Sequence, residues 1–153
     1  MIYNTPSEMV VALPINSRLL GLDVGSKTIG LAVSDSARKV STPINTMWRS
    51  KFSKDVLKLG EIIAERNAAG LVLGLPVLMD GTEGSACQSV RQFAANLDEA
   101  LNTHVTFWDE RLSTSAVERT LINEADMSRV RRAQVVDKLA AAYILQGALD
   151  YLT

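Results

Sequence analysis

Two apolar stretches, Arg18–Asp23 and Thr28–Ser34, are joined by Val24-Gly25-Ser26-Lys27, a connection too short for anything but an antiparallel hairpin. The second stretch alternates Ile29, Leu31 and Val33 against Thr28, Gly30, Ala32 and Ser34, the two-residue period of a strand. A third strand is expected over Val40–Ile44, because Ser36-Ala37-Arg38-Lys39 reads as a turn. From Ser53 the period becomes helical. Val56, Leu59 and Ile63 recur at helical spacing up to Gly70, with Leu57 and Ile62 as further inward candidates. Leu71–Leu75, stopped by Pro76, has the length and flanks of a buried parallel strand.

The same reading predicts a helix over Ser85–Leu101 with Val90, Phe93, Ala94 and Leu97 inward, then a buried strand over Val105–Trp108. Ser113 or Thr114 caps a helix to about Glu124, and a last helix runs from about Arg132 to Tyr151. The order β-β-β-α-β-α-β-α-α specifies an α/β fold. Three antiparallel strands are followed by β-α-β units, giving a mixed five-stranded sheet flanked by helices in a single domain over residues 18–153. Residues 1–17, punctuated by Pro6, Pro14 and Asn16, read as a flexible or loosely docked leader.

Several function classes fall away on composition. With one cysteine and one histidine, the chain supports neither a disulfide framework nor a Cys- or His-based zinc site. The apolar stretch Met9–Leu13 has no Lys or Arg before it and is ended by Pro14. It is neither a signal peptide nor a membrane span, so a cytoplasmic protein is expected. The formal net charge of −1 gives no global attraction to a polyanion. Local patches would have to supply it: Arg129-Val130-Arg131-Arg132, with Arg111 and Lys27 as outliers.

Three acids stand where acids are costly. Asp23 ends the apolar run from Leu19, Glu110 follows Val105–Asp109, and Asp137 heads the stripe Ala141, Ile144, Ala148 of the last helix. A buried carboxylate needs a partner or a metal, and a cluster of carboxylates suits a hard divalent cation. Asp137 has a plainer reading too, as an acid near a helix N-terminus or paired with Lys138 or an arginine. Gly25, two residues after Asp23, permits a tight turn that brings backbone N–H groups toward a phosphate, or simply a left-handed hairpin residue. Parity does not choose between Asp109 and Glu110, since both faces of a central strand are covered. Asp80-Gly81 reads as turn chemistry, His104 and Cys87 as structural, and Trp48 and Trp108 as packing residues.

These segments resemble a known family. Leu20-Gly21-Leu22-Asp23-Val24-Gly25 with Gly30-Leu31-Ala32-Val33-Ser34-Asp35, and Gly74-Leu75-Pro76 with Met79-Asp80-Gly81-Thr82-Glu83-Gly84, look like the YqgF, or RuvX, family. So do Asp109-Glu110-Arg111-Leu112-Ser113-Thr114 and Asp137-Lys138-Leu139-Ala140-Ala141 with Ile144-Leu145-Gln146. The likeness runs from about Arg18 to Leu152, and Leu78 departs from it, standing where the family often has Asn. It implies a ribonuclease H-like fold and a Holliday-junction-resolvase-like nuclease that trims the 5′ end of pre-16S ribosomal RNA. It further implies Asp23, Glu110 (rather than Asp109) and Asp137 as catalytic ligands of Mg²⁺ or Mn²⁺ in two-metal phosphodiester hydrolysis. Lys27, Thr28, Arg111, Arg129, Arg131 and Arg132 become candidate substrate contacts. The expected partner is pre-16S rRNA or a pre-ribosomal particle, with a four-way DNA junction or a non-catalytic RNA-binding role as alternatives. The protein would act as a monomer or weak homodimer, away from membranes.

Overall fold

The computed structural model describes residues 1–111 and 129–153, and the side chains of the last helix from residue 138 onward. The helix expected between Ser113 and Glu124 lies outside the described residues. The sheet has five strands: β1 (Arg18–Val24), β2 (Thr28–Ser34), β3 (Ser41–Trp48), β4 (Ala68–Leu75) and β5 (His104–Asp109). They lie in the order β3-β2-β1-β4-β5. The pairs β1–β2 and β2–β3 are antiparallel, while β1–β4 and β4–β5 are parallel, the mixed sheet read from the element order. Helices α2 (Phe52–Arg66), α3 (Ser85–Leu101) and α4 (Arg129–Tyr151) match three of the expected helices, and α1 (Pro6–Val11) is additional.

Three boundaries moved, each for a local reason. β3 runs four residues past Ile44 because Asn45–Trp48 pair with Thr28–Leu31; Pro43 is tolerated beside a register shift on this edge strand. α2 stops at Arg66 because Asn67 takes the left-handed conformation, φ 53°, and caps it. β4 consequently starts at Ala68, where Ala-Ala-Gly carries little strand signal of its own.

Residues 1–17, expected as a flexible or loosely docked leader, are docked by a short helix and backbone hydrogen bonds. Thr5 caps α1 by accepting from Glu8 N–H, and Pro6 occupies the first turn. Met9 and Leu13 are buried over β4, where a Cβ on Gly70 would stand 2.8 Å from Met9 Cε and 2.9 Å from Leu13 Cδ1. Tyr3 N–H donates to Val105 O and Val105 N–H to Met1 O, closing the edge of β5. The Arg38 guanidinium, in the β2–β3 turn, donates to Pro14 O, Ser17 O and Ser17 Oγ. The missed signal was the amphipathic spacing of Met9 and Leu13.

The two faces of the sheet are packed differently. On one, Leu20, Leu22, Ile29, Leu31, Leu71 and Leu73 meet α2 and α3. On the other, Leu19, Ala32 and Val72 meet α4 and α1. α4 lies very close to the sheet. A Cβ on Gly21 would be 2.7 Å from Leu145 Cβ and 3.0 Å from the Ala141 carbonyl oxygen, and one on Gly147 would be 2.5 Å from Trp108 Nε1. Gln146 accepts from Ser41 N–H and donates to Lys39 O. The later turns of α4 therefore sit over the start of β1, and its earlier turns over the end.

Candidate active site

Asp23 sits near the C-terminal end of β1, half-buried and opposite Gly30. Strand alternation puts it with Leu19 and Gly21 on the α4 face. Leu22 pairs with Leu73 in the parallel register, so Asp23 and Gly74 are the next residues along two neighbouring strands, about 4.8 Å apart at the backbone.

Glu110 follows β5, and its N–H donates to Leu75 O at 3.2 Å. Its carboxylate lies over Gly74: a Cβ there would collide with Glu110 Oε2 and stand 2.5 Å from Ile144 Cδ1. The carboxylate of β5 is thereby carried inward across β4, toward the strand that bears Asp23. Burial raises the Glu110 pKa above the usual carboxylate range, with the nearby negative charge of Asp109 adding to the effect. Asp109 is different. It is exposed and bound to Arg111, accepting from Arg111 N–H at 3.0 Å and from Nε at 2.7 Å. Packing treats the two neighbours differently: Glu110 is half-buried over Gly74, and Asp109 stays in a surface ion pair.

Ala141 of α4 is over Gly21, and position 137 is one helical turn earlier on the same stripe. Four helical residues advance about 6 Å and two strand residues about 6.6 Å, so position 137 comes level with Asp23. The Asp137 side chain is outside the described residues, as are those of Arg129, Arg131 and Arg132 in the first turn of α4. Among the described residues no group of three His, Cys, Asp or Glu side chains is placed to hold a metal ion.

Lys27 is exposed in the β1–β2 turn, next to Thr28, which starts β2 on the face of Asp23. Arg111 reaches the same sheet edge but is committed to Asp109. Gly25 has no positive φ; its N–H donates to Thr28 O, and a Cβ would stand 3.1 Å from that oxygen. Close approach, not left-handed backbone, is what glycine provides there. Asp80-Gly81 forms the expected turn: Asp80 accepts from Thr82 N–H and Oγ1, and Gly81 has φ 87°. His104 Nδ1 bonds Tyr3 Oη, a structural contact. Trp108 packs against Tyr151, whereas Trp48 is 54% exposed, contrary to the packing role expected. Sequence reasoning missed Gly74 as the seat of a carboxylate, though a glycine within an apolar strand is a sign of close approach.

A mixed sheet in this order, with carboxylates at the C-terminal edge of its parallel strands, defines a ribonuclease H-like protein. Solved structures agree on the fold. The Thermus thermophilus RuvC in complex with a Holliday junction superposes with a TM-score of 0.52 at 10% identity, covering 89% of this chain and 96% of that one. The fowlpox virus Holliday junction resolvase gives 0.53 at 12% identity, covering 89% and 99%. Within that class, residues 17–151 match the RuvX family model, Holliday junction resolvase, and the chain belongs to this family of nucleases. Relatives named "Putative pre-16S rRNA nuclease" include one from Paramagnetospirillum magneticum, 59% identical over 95% of this chain and 93% of its own length. Another, from Ruegeria pomeroyi, is 56% identical over 99% of this chain and 98% of its own. Among the described residues no helix is long and apolar enough to cross a membrane.

Proposed function

We propose that this chain is a divalent-metal-dependent phosphodiesterase acting on the 5′ region of pre-16S rRNA. The carrying observation is the Glu110 carboxylate, desolvated over Gly74 beside the strand position of Asp23. Such a carboxylate, with no side-chain partner among the described residues, carries a desolvation cost that a cation removes. A pure binding module has no use for it, because such acids repel phosphate.

The donor set fits Mg²⁺ or Mn²⁺: carboxylate oxygens only, with Asp23 and Glu110 as two ligands and Asp137 as the third. When bound, one or two such ions supply charge for the leaving 3′ oxygen and acidify the attacking water. The remaining roles belong to the chain. The stiff edge of β1, β4 and β5 holds Asp23 and Glu110 in place, and the close approach of α4 excludes bulk water behind them. Lys27, Thr28 and the Arg129–Arg132 turn are the contacts we assign to the phosphate backbone, which would position RNA without reading its bases. Arg111 would join them only by giving up Asp109.

The relatives' names favour RNA, whereas the family description favours a four-way DNA junction. Parallel assays on a pre-16S 5′ leader and a synthetic junction, with Mg²⁺ or Mn²⁺, separate the two. Leader cleavage with little junction cleavage is expected. Asp23→Asn should cut at least about 1,000-fold more slowly, since metal stabilisation of the transition state is worth several kcal/mol and each 1.4 kcal/mol is tenfold. Equal rates for wild type and Asp23→Asn would overturn the assignment.

A further inference from the structure

The sheet edge that carries Asp23 and Glu110 has a second side. On the α2–α3 face a cleft of about 510 Å³ opens beside the β1–β2 turn, lined by Ser26 and Arg49 and by Gln92, Phe93 and Asn96 of α3. It adjoins the acidic edge through the backbone. Gly25, in its wall, is two residues past Asp23, and Pro76, also in its wall, follows the Leu75 carbonyl that accepts from Glu110 N–H.

Arg49 differs from the arginines already committed to partners. Arg91 is paired with Glu83 and Arg111 with Asp109, and Arg38 is spent on three acceptors of the leader. Arg49 Nη1 donates to Gly25 O at 2.6 Å, and its guanidinium carbon lies 5.1 Å from the centre of the Phe93 ring. Among the described residues its side chain makes no other hydrogen bond and has no carboxylate within ion-pair distance. One of five N–H donors is thus used, the plane is held by an aromatic face, and the charge is open to the cleft. That is a preorganised seat for an anionic oxygen. Gln92 Nε2 donates to Asn96 Oδ1 at 2.9 Å, so Gln92 Oε1 and Asn96 Nδ2 are the acceptor and donor offered to a base edge, and the volume suits an organic ligand better than a bare ion.

We propose that this cleft binds one nucleotide of the substrate strand flanking the scissile bond, its phosphate on Arg49 and its base toward Gln92 and Asn96. The proposal rests on the nuclease reading above. It makes Arg49 a positioning residue, since it would touch the strand away from the reacting atoms. The chain would then grip its substrate from both faces of one sheet edge.

Labelled single strands containing the cleavage site, lengthened one nucleotide at a time on the 5′ or the 3′ side, test this by binding to the full chain carrying Asp23→Asn. Affinity should rise in a step at one length on one side only. Adding Arg49→Ala should abolish the step and reduce the salt slope of binding by about 0.7, the loss of one single-strand phosphate contact. Arg49→Lys should restore the slope but only part of the step, because the ammonium keeps the charge without the planar fork. Ser89→Trp, at an exposed position of α3 lining the cleft, should remove the step while leaving Arg49 and the turn intact.

A step and slope unchanged in both Arg49→Ala and Ser89→Trp overturn the proposal, as does a variant that loses thermal stability alone, which makes Arg49 a brace for the turn. Tight binding of a free mononucleotide with no dependence on strand length overturns it in favour of a small-molecule site. If wild type cuts the strand while the cleft variants match it, only the cleft assignment falls. If wild type neither binds nor cuts any nucleic acid, the nuclease reading falls with it.

Discussion

The two faces of the sheet are opposite solutions to covering one surface. Toward α2 and α3 the strands present Leu20, Leu22, Ile29 and Leu31, and bulky side chains such as Phe93 and Leu97 answer from the helices. Toward α4 they present Gly21 and Gly74, against Ala141, Leu145 and Ile144 of the helix, so the helix comes close to the strands, and Gly147 makes room for Trp108. Bulk against bulk holds the helices off and leaves a cleft at the sheet edge. Strand glycines let α4 come down onto the sheet, where Glu110 is half-buried over Gly74. The proposed chemistry lies on the second face, and a pair of substitutions should separate it from the packing of the first.

The largest stability effect is expected on the bulky face. Leu97 is fully buried in α3, so Leu97→Ala should cost about 2–5 kcal/mol in denaturant unfolding while cleavage per folded molecule is kept. Gly74→Ala should do the reverse. Overpacking costs about 1–3 kcal/mol, but the new methyl group meets the Glu110 carboxylate and Ile144, and metal-dependent cleavage should collapse. If Gly74→Ala retains full activity, the close-packed face is not what holds the site.

Glu110→Gln gives a smaller effect whose sign depends on pH. The folded pKa is raised, so the favourable contribution of the protonated acid is complete below its unfolded value and is lost as pH rises through the folded one. In chelator-treated protein the neutral amide should therefore raise Tm at pH 7 and leave it unchanged near pH 3. The same variant should lose the Tm increase that Mg²⁺ or Mn²⁺ gives wild type. The smallest effect is expected at Asp109→Asn. Its exposed pairing with Arg111 is worth less than about 1 kcal/mol, and stability and metal response should both stay close to wild type. A strong metal response lost at Asp109 rather than Glu110 would reverse the assignment of the two neighbours.

Much of this was readable in the chain. Ser85–Leu101 and Thr28–Ser34 were predicted with the bounds they have, because each carries a clean period and a clear stop. Segments without such signals were misread. Ala68-Ala69-Gly70 joined the preceding helix, and the end of β3 was cut at Ile44, since only their strand partners make them extended. The leader looked loose because two buried residues, Met9 and Leu13, do not make a recognisable stripe until Gly70 gives them a place to sit.

The sequence by itself determined the order of elements, the antiparallel hairpin followed by parallel crossovers, and the strand-end positions of Asp23 and Glu110. Those follow from local periodicity and connection length, which are properties of neighbouring residues. Only the tertiary structure put Glu110 and Asp109 in different surroundings, seated a carboxylate on Gly74, docked the leader and set Arg49, with no carboxylate partner among the described residues, beside a cleft. Each of these depends on which side chains from distant parts of the chain meet at one place, and on the space and dielectric they leave there.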